Sequence, residues 1–261
     1  MAITTYAVLG ATGQTGSEIV KALLPTSAHL NVYARSASRL EAMHPGLSEA
    51  SNVTFFIGDL ADEALIAACL ADADIILSAV AQNRNEPGCS IAQRAALAII
   101  KALDTRRRSN NVPTVVFLAS GGVDPGNKAK MPWLARKFGT WMLYHIYTDL
   151  DASIKLFESN SWVPLVIAAA GALVHDIPRG VQLTNDVFTA SPLLSYPDLA
   201  RGMIQMGEEG DKWRGQYVGI IANEGRPIGG NPLALMRYLL PNILAMICPP
   251  LWWLGKDWWP A

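Results

Sequence analysis

The chain has 261 residues, of which 51% are hydrophobic and 16% charged, with a formal net charge of -1. That length and apolar content allow one sizeable core. The near-zero charge excludes a basic field that would gather nucleic acid or an anionic bilayer.

The N-terminal residues Met1-Ala2-Ile3-Thr4-Thr5 carry neither a basic leader nor a long apolar run, so no targeting segment is expected. Five short aliphatic or β-branched runs follow, predicting strands over 6–9, 30–34, 53–57, 75–79 and 114–119. Helix-like stretches at 14–24, 37–43, 63–70 and 91–103 alternate with them. Such alternation predicts an α/β fold, a Rossmann-type doubly wound parallel sheet covered on both faces. Arg106, Arg107 and Arg108 stand where the fourth helix should end, favourable to its dipole. Beyond lies a long helical region, 133–160, with a break expected near Gly139. A sixth strand is expected at 165–170, a short helix at 197–206 and a strand at 216–221. The segment 232–248 reads as one or two helices kinked at Pro241.

Residues 238–254 carry no charge, and four of the eight tryptophans fall in the last ten residues. A span needs about 20 apolar residues. This stretch is shorter and broken by prolines, so no transmembrane span is expected. The division follows as 1–170 for a cofactor-binding domain and 171–261 for a small substrate-binding or lid region with apolar C-terminal helices. Cys69, Cys89 and Cys248 are far apart and odd in number. They fit neither a disulfide framework nor a metal site, and a reducing, cytoplasmic setting is the simpler expectation.

The sharpest motif is Gly10-Ala11-Thr12-Gly13-Gln14-Thr15-Gly16, after an apolar strand and at the opening of a helix. Its glycines suit a tight turn, close approach to a pyrophosphate and helix–strand packing, with helix N–H groups facing the anion. The second strand ends in Arg35-Ser36-Ala37-Ser38-Arg39, without the carboxylate that would accept from a ribose 2′-hydroxyl. Arg35, Ser36 and Arg39 instead suit a 2′-phosphate, which makes NADP(H) the expected cofactor. Asp59 and Leu60, after strand three, suit the adenine; Asp59 is equally suited to cap the next helix. Ala79 and Val80, after strand four, leave room for a ribose.

On these residues the chain resembles the atypical short-chain dehydrogenase/reductase superfamily, in its NmrA-like branch. Segments such as Tyr147-Thr148-Asp149-Leu150-Asp151, Gly171-Ala172-Leu173-Val174-His175-Asp176 and Ser195-Tyr196-Pro197-Asp198-Leu199-Ala200 are similar to fungal NAD(P)-binding, averufin-oxidase-like proteins of secondary metabolism. The resemblance implies a serine and a tyrosine at the reacting centre, matched here by Ser120 and Tyr147. The lysine expected four residues after the tyrosine is replaced by Asp151; Lys155 follows one turn later. A tyrosine without a cation keeps a pKa near ~10 and is a poor base at neutral pH. His145 and His175 are further acid–base candidates, and Lys128 and Lys130 are expected to be solvated.

The leading expectation is an NADP(H)-dependent oxidoreductase acting on a bulky aromatic or polycyclic secondary metabolite. A non-redox isomerase, cyclase or dehydratase on the same scaffold is the second reading. A non-catalytic, NADP-sensing regulatory protein is the third. The tryptophan-rich end is read as a lid or a homodimer contact.

Overall fold

The computed structural model describes residues 3–107 and 111–223, together with 242–243, 246–248 and 250. An eight-stranded sheet runs through its centre in the order β3-β2-β1-β4-β5-β6-β10-β8. Its members are β1 (Thr5–Leu9), β2 (His29–Ala34), β3 (Val53–Ile57), β4 (Ile75–Ser78), β5 (Thr114–Ser120), β6 (Leu165–Ala170), β8 (Val181–Thr184) and β10 (Tyr217–Ala222). All neighbours pair in parallel except β8, which runs antiparallel to β10. The expected parallel, doubly wound sheet is therefore present.

Strand alternation builds the two faces. Val8 belongs to one apolar cluster, while its neighbours Ala7 and Leu9 belong to the other. Helices α1 (Gln14–Leu23), α2 (Ala37–Met43) and α8 (Tyr196–Glu208) cover the first face. Helices α3 (Glu63–Leu70), α4 (Ile91–Arg107) and α7 (Tyr144–Glu158) cover the second. In α1 the buried residues Thr15, Ile19 and Leu23 recur every four positions, with Gly16 and Val20 beside them. That spacing lays one stripe of the helix on the sheet.

Several short elements stood outside the sequence reading: α5 (Pro125–Lys130), the parallel pair β7 (Ala172–Val174) with β9 (Leu193–Ser195), the edge strand β8, and α9 (Gly210–Trp213). Asp124 starts α5 by accepting from the Gly126 and Asn127 N–H groups. The expected long helix is two helices, α6 (Trp133–Met142) and α7, and they part at Leu143 rather than at Gly139. The cause is tertiary. The buried Asn85 side chain accepts from the His145 and Ile146 N–H groups and donates to the Met142 carbonyl (2.9 Å). It restarts the helix from outside.

Arg106 also differs from expectation. It donates to the carbonyls of Leu70 (2.9 Å) and Ala73 (2.7 Å), tying down the end of α3 instead of serving its own helix alone. Arg107 lies over the Trp162 ring; Arg108 falls outside the described residues. So do the greater part of the expected helices at 232–248 and the tryptophans at 252, 253, 258 and 259. Residues 181–184 and 196–222, assigned from sequence to the smaller second region, add two strands and a covering helix to the central sheet. Among the described residues, no helix is long and apolar enough to cross a membrane.

Candidate active site

The strand order reverses between β1 and β4, so the crevice beyond their carboxyl ends is the natural ligand site of this sheet. There β1 gives way to Gly10 at φ +84°, a left-handed conformation that glycine adopts without strain. Its carbonyl accepts from Gly13 N–H at 2.9 Å, closing the turn. A Cβ on Gly10 would stand 3.0 Å from the Ala79 backbone and 3.1 Å from the Val80 side chain. A Cβ on Gly16 would overlap the Gly10 carbonyl, so α1 seats directly on the turn.

The start of α1 is open to an anion. Gly13 caps it without a side chain, and no acidic residue sits in its first turn. Thr12 and Gln14 are half-buried, and Thr15 is buried. The Gln14 Oε1 atom is buried with no hydrogen-bond partner among the described residues. A buried acceptor left alone costs about 1–3 kcal/mol, which a donor from a bound molecule would offset. Tight turn, bare helix end and orphaned acceptor together fit a dinucleotide.

At the end of β2, Arg35 and Arg39 are exposed, and neither guanidinium has a hydrogen bond or ion pair among the described residues. Ser36 caps α2, accepting from Arg39 N–H at 3.2 Å, with Ser38 Oγ 3.0 Å away. Asp59 accepts from Ala61 N–H (3.0 Å) and pairs with Arg94 (2.8 Å). It does not cap α3; Asp62 does, through Leu65 N–H. Leu60 is half-buried against the second cluster. Ser78, at the end of β4, is fully buried, and its Oγ has no partner among the described residues.

The carboxyl end of β5 lies on the same edge of the sheet. Here Ser120 and Tyr147 meet, although 27 residues separate them: Ser120 Oγ donates to Tyr147 Oη at 3.4 Å, and Gly122 N–H donates to Ser120 Oγ at 3.2 Å. The first of these is long, as such contacts often are before substrate arrives. Burial pushes the Tyr147 hydroxyl above its ordinary value, and the Ser120 bond opposes this. Helix α7 is held at two points. Asn85 fixes its start, and the buried Asp149 carboxylate accepts from Ala92 and Gln93 N–H groups at the start of α4 (2.9 and 3.0 Å).

The other catalytic candidates fall elsewhere. Asp151 pairs with Lys128 at 3.7 Å, so Lys128 is not simply solvated. Lys155 is exposed and has no ion pair or hydrogen bond from its ammonium among the described residues. Neither donates to Tyr147. His145 stacks edge-on to Tyr144, and burial lowers its pKa. His175 packs on Tyr196 with ring centroids 4.8 Å apart. Lys130 pairs with Asp186 at 2.7 Å. Among the described residues no cluster could hold a metal ion. Sequence reasoning places Gly122, with Ser120 and Gly121, within reach of the reacting centre but gives it no role, and it passes over Asn85 and the capping role of Asp149.

The model of a family described as NAD(P)H-binding matches residues 10–206. The chain belongs to this NAD(P)H-binding family. Relatives include the oxidoreductase nsrR of Aspergillus novofumigatus, 33% identical over 95% of this chain and 96% of its own length. The oxidoreductase stcQ of Emericella nidulans is 33% identical over 94% of this chain and 92% of its own. The oxidoreductase aflX of Aspergillus parasiticus is 30% identical over 79% of each. The resemblance read from the sequence is thus borne out. A short-chain dehydrogenase/reductase of Veillonella parvula, solved in complex with NADP, has the same fold at 15% identity. Its TM-score is 0.67, over 87% of this chain and all of that one.

Proposed function

We propose that this family member is an NADP(H)-dependent oxidoreductase acting on a bulky aromatic or polycyclic small molecule. The observation that carries the reading is the meeting of Ser120 and Tyr147 at the sheet edge that also bears the glycine turn. The bound cofactor supplies the hydride equivalent. Gly10, Gly13, Gln14, Thr15 and Gly16 hold its diphosphate with Thr12. Ala79 and Val80 border the ribose, and Asp59 and Leu60 the adenine. Arg35, Ser36 and Arg39 select the phosphorylated nucleotide. Ser120 and Tyr147 polarise the substrate oxygen. Support for an aromatic substrate comes from α6, which runs into α7 and leaves Trp133, Leu134 and Phe138 more than half exposed. The names of the matched relatives support redox chemistry. Residues 171–261 supply the substrate side of the crevice in this reading.

Calorimetric titration with NADPH and NADH tests the cofactor, and NADPH consumption over a panel of aromatic carbonyl compounds tests the reaction. Tight NADPH binding, turnover, and loss of turnover in Ser120→Ala and Tyr147→Phe are the expected results. One observation favours a second reading: the position four residues beyond Tyr147 is an acid, and that acid is tied to Lys128. Under non-redox isomerisation or cyclisation, the same variants would lose activity while NADPH absorbance never changed.

A further inference from the structure

Ser120 and Tyr147 do not meet unaided. Gly122 N–H donates into Ser120 Oγ. A Cβ on Gly122 would drive into the Tyr147 hydroxyl and the ring carbon that bears it. The glycine therefore does two things at once: its amide takes one lone pair of the serine oxygen, and its missing side chain is the space the phenol fills. With one lone pair engaged by that amide, the serine proton is left to point at Tyr147 Oη, 3.4 Å away. The phenol then keeps its own proton free for a third group. No lysine or arginine donates to that hydroxyl among the described residues, so nothing cationic favours the phenolate.

We propose that Gly122 is a positioning residue: through its amide it orients Ser120, and through its missing side chain it seats the Tyr147 hydroxyl beside that serine. The inference rests on the oxidoreductase reading and adds the residue that places its Ser120 and Tyr147 pair.

The test begins on cofactor-free protein, with tyrosine labelled at Cζ and Tyr147 assigned by its loss in Tyr147→Phe. In carbon NMR the Tyr147 signal should titrate above the ordinary tyrosine value of about 10, and Ser120→Ala should move the midpoint further up. A downward move means that the serine accepts from the phenol, and it overturns the donor assignment. Gly122→Ala should displace the Tyr147 signal and lower kcat for phenanthrenequinone reduction about 100-fold, the scale of an ångström misplacement, with KM for NADPH little changed. An unshifted signal with full kcat overturns the positioning role. Should Gly122→Ala fold poorly, adding Tyr147→Ala should restore stability; a defect that persists without the ring also overturns it. If the native chain fails to bind NADPH, the oxidoreductase reading falls, while the NMR result still decides how the hydroxyls are arranged.

Discussion

Arg35 shows how much one side chain can decide. It is exposed at the end of β2 with no carboxylate to neutralise it. A hydrogen bond to a charged group contributes about 1.5–3 kcal/mol, so Arg35→Ala should weaken NADPH binding by roughly 10- to 100-fold. NADH binding should hardly change. Equal loss for both nucleotides, by titration, would remove the 2′-phosphate role. Tyr147 yields a pH prediction. Because burial raises its pKa, the neutral donor form persists below the ordinary tyrosine value and is lost only above it. The reduction rate should stay level from about pH 6 to 9. A fall centred near neutrality would transfer the proton step to a histidine, with His145 and His175 the nearest candidates by sequence.

Among the elements, α7 matters most because it carries Tyr147, and its placement depends on neighbours. Asn85 serves three backbone groups at its start from a loop 57 to 61 residues earlier. Asn85→Ala leaves buried groups unpaired, at about 1–3 kcal/mol. Urea unfolding should show that loss, kcat should fall, and NADPH affinity should hold. Asn85→Asp keeps the acceptor and should be milder. A variant as stable and as active as the native chain would show that α7 needs no external cap. The same contact explains the misplaced break. Gly139 is the residue that local propensity marks as weak, yet Leu143 is where an outside side chain competes for the backbone.

For the whole molecule, stability should decline in alkali. Tyr33 and Tyr217 are each pushed up to about 12, by burial first and nearby carboxylates second. Their contribution is complete below the unfolded value near ~10. It is lost as pH rises from there toward about 12, because the unfolded chain then ionises first. Tyr33→Phe or Tyr217→Phe should flatten that limb of a plot of unfolding free energy against pH; an unchanged limb would refute the linkage. Saturating cofactor should stabilise the fold as well. At a concentration of 100 Kd the gain is about 2.7 kcal/mol, visible as a rise in Tm with NADPH.

By itself the sequence determined the alternating strands and helices and the glycine turn, and its family resemblance pointed to Ser120 and Tyr147. The strands, helices and turn are written in local signals: hydrophobic period and glycine spacing. Only the tertiary structure decided that Asn85 caps α7, that Asp151 pairs with Lys128, and that Gly122 makes room for a phenol 25 positions further along the chain. These contacts join residues from different elements. They depend on neighbours far apart in the chain, which meet only when the sheet and its helices have closed.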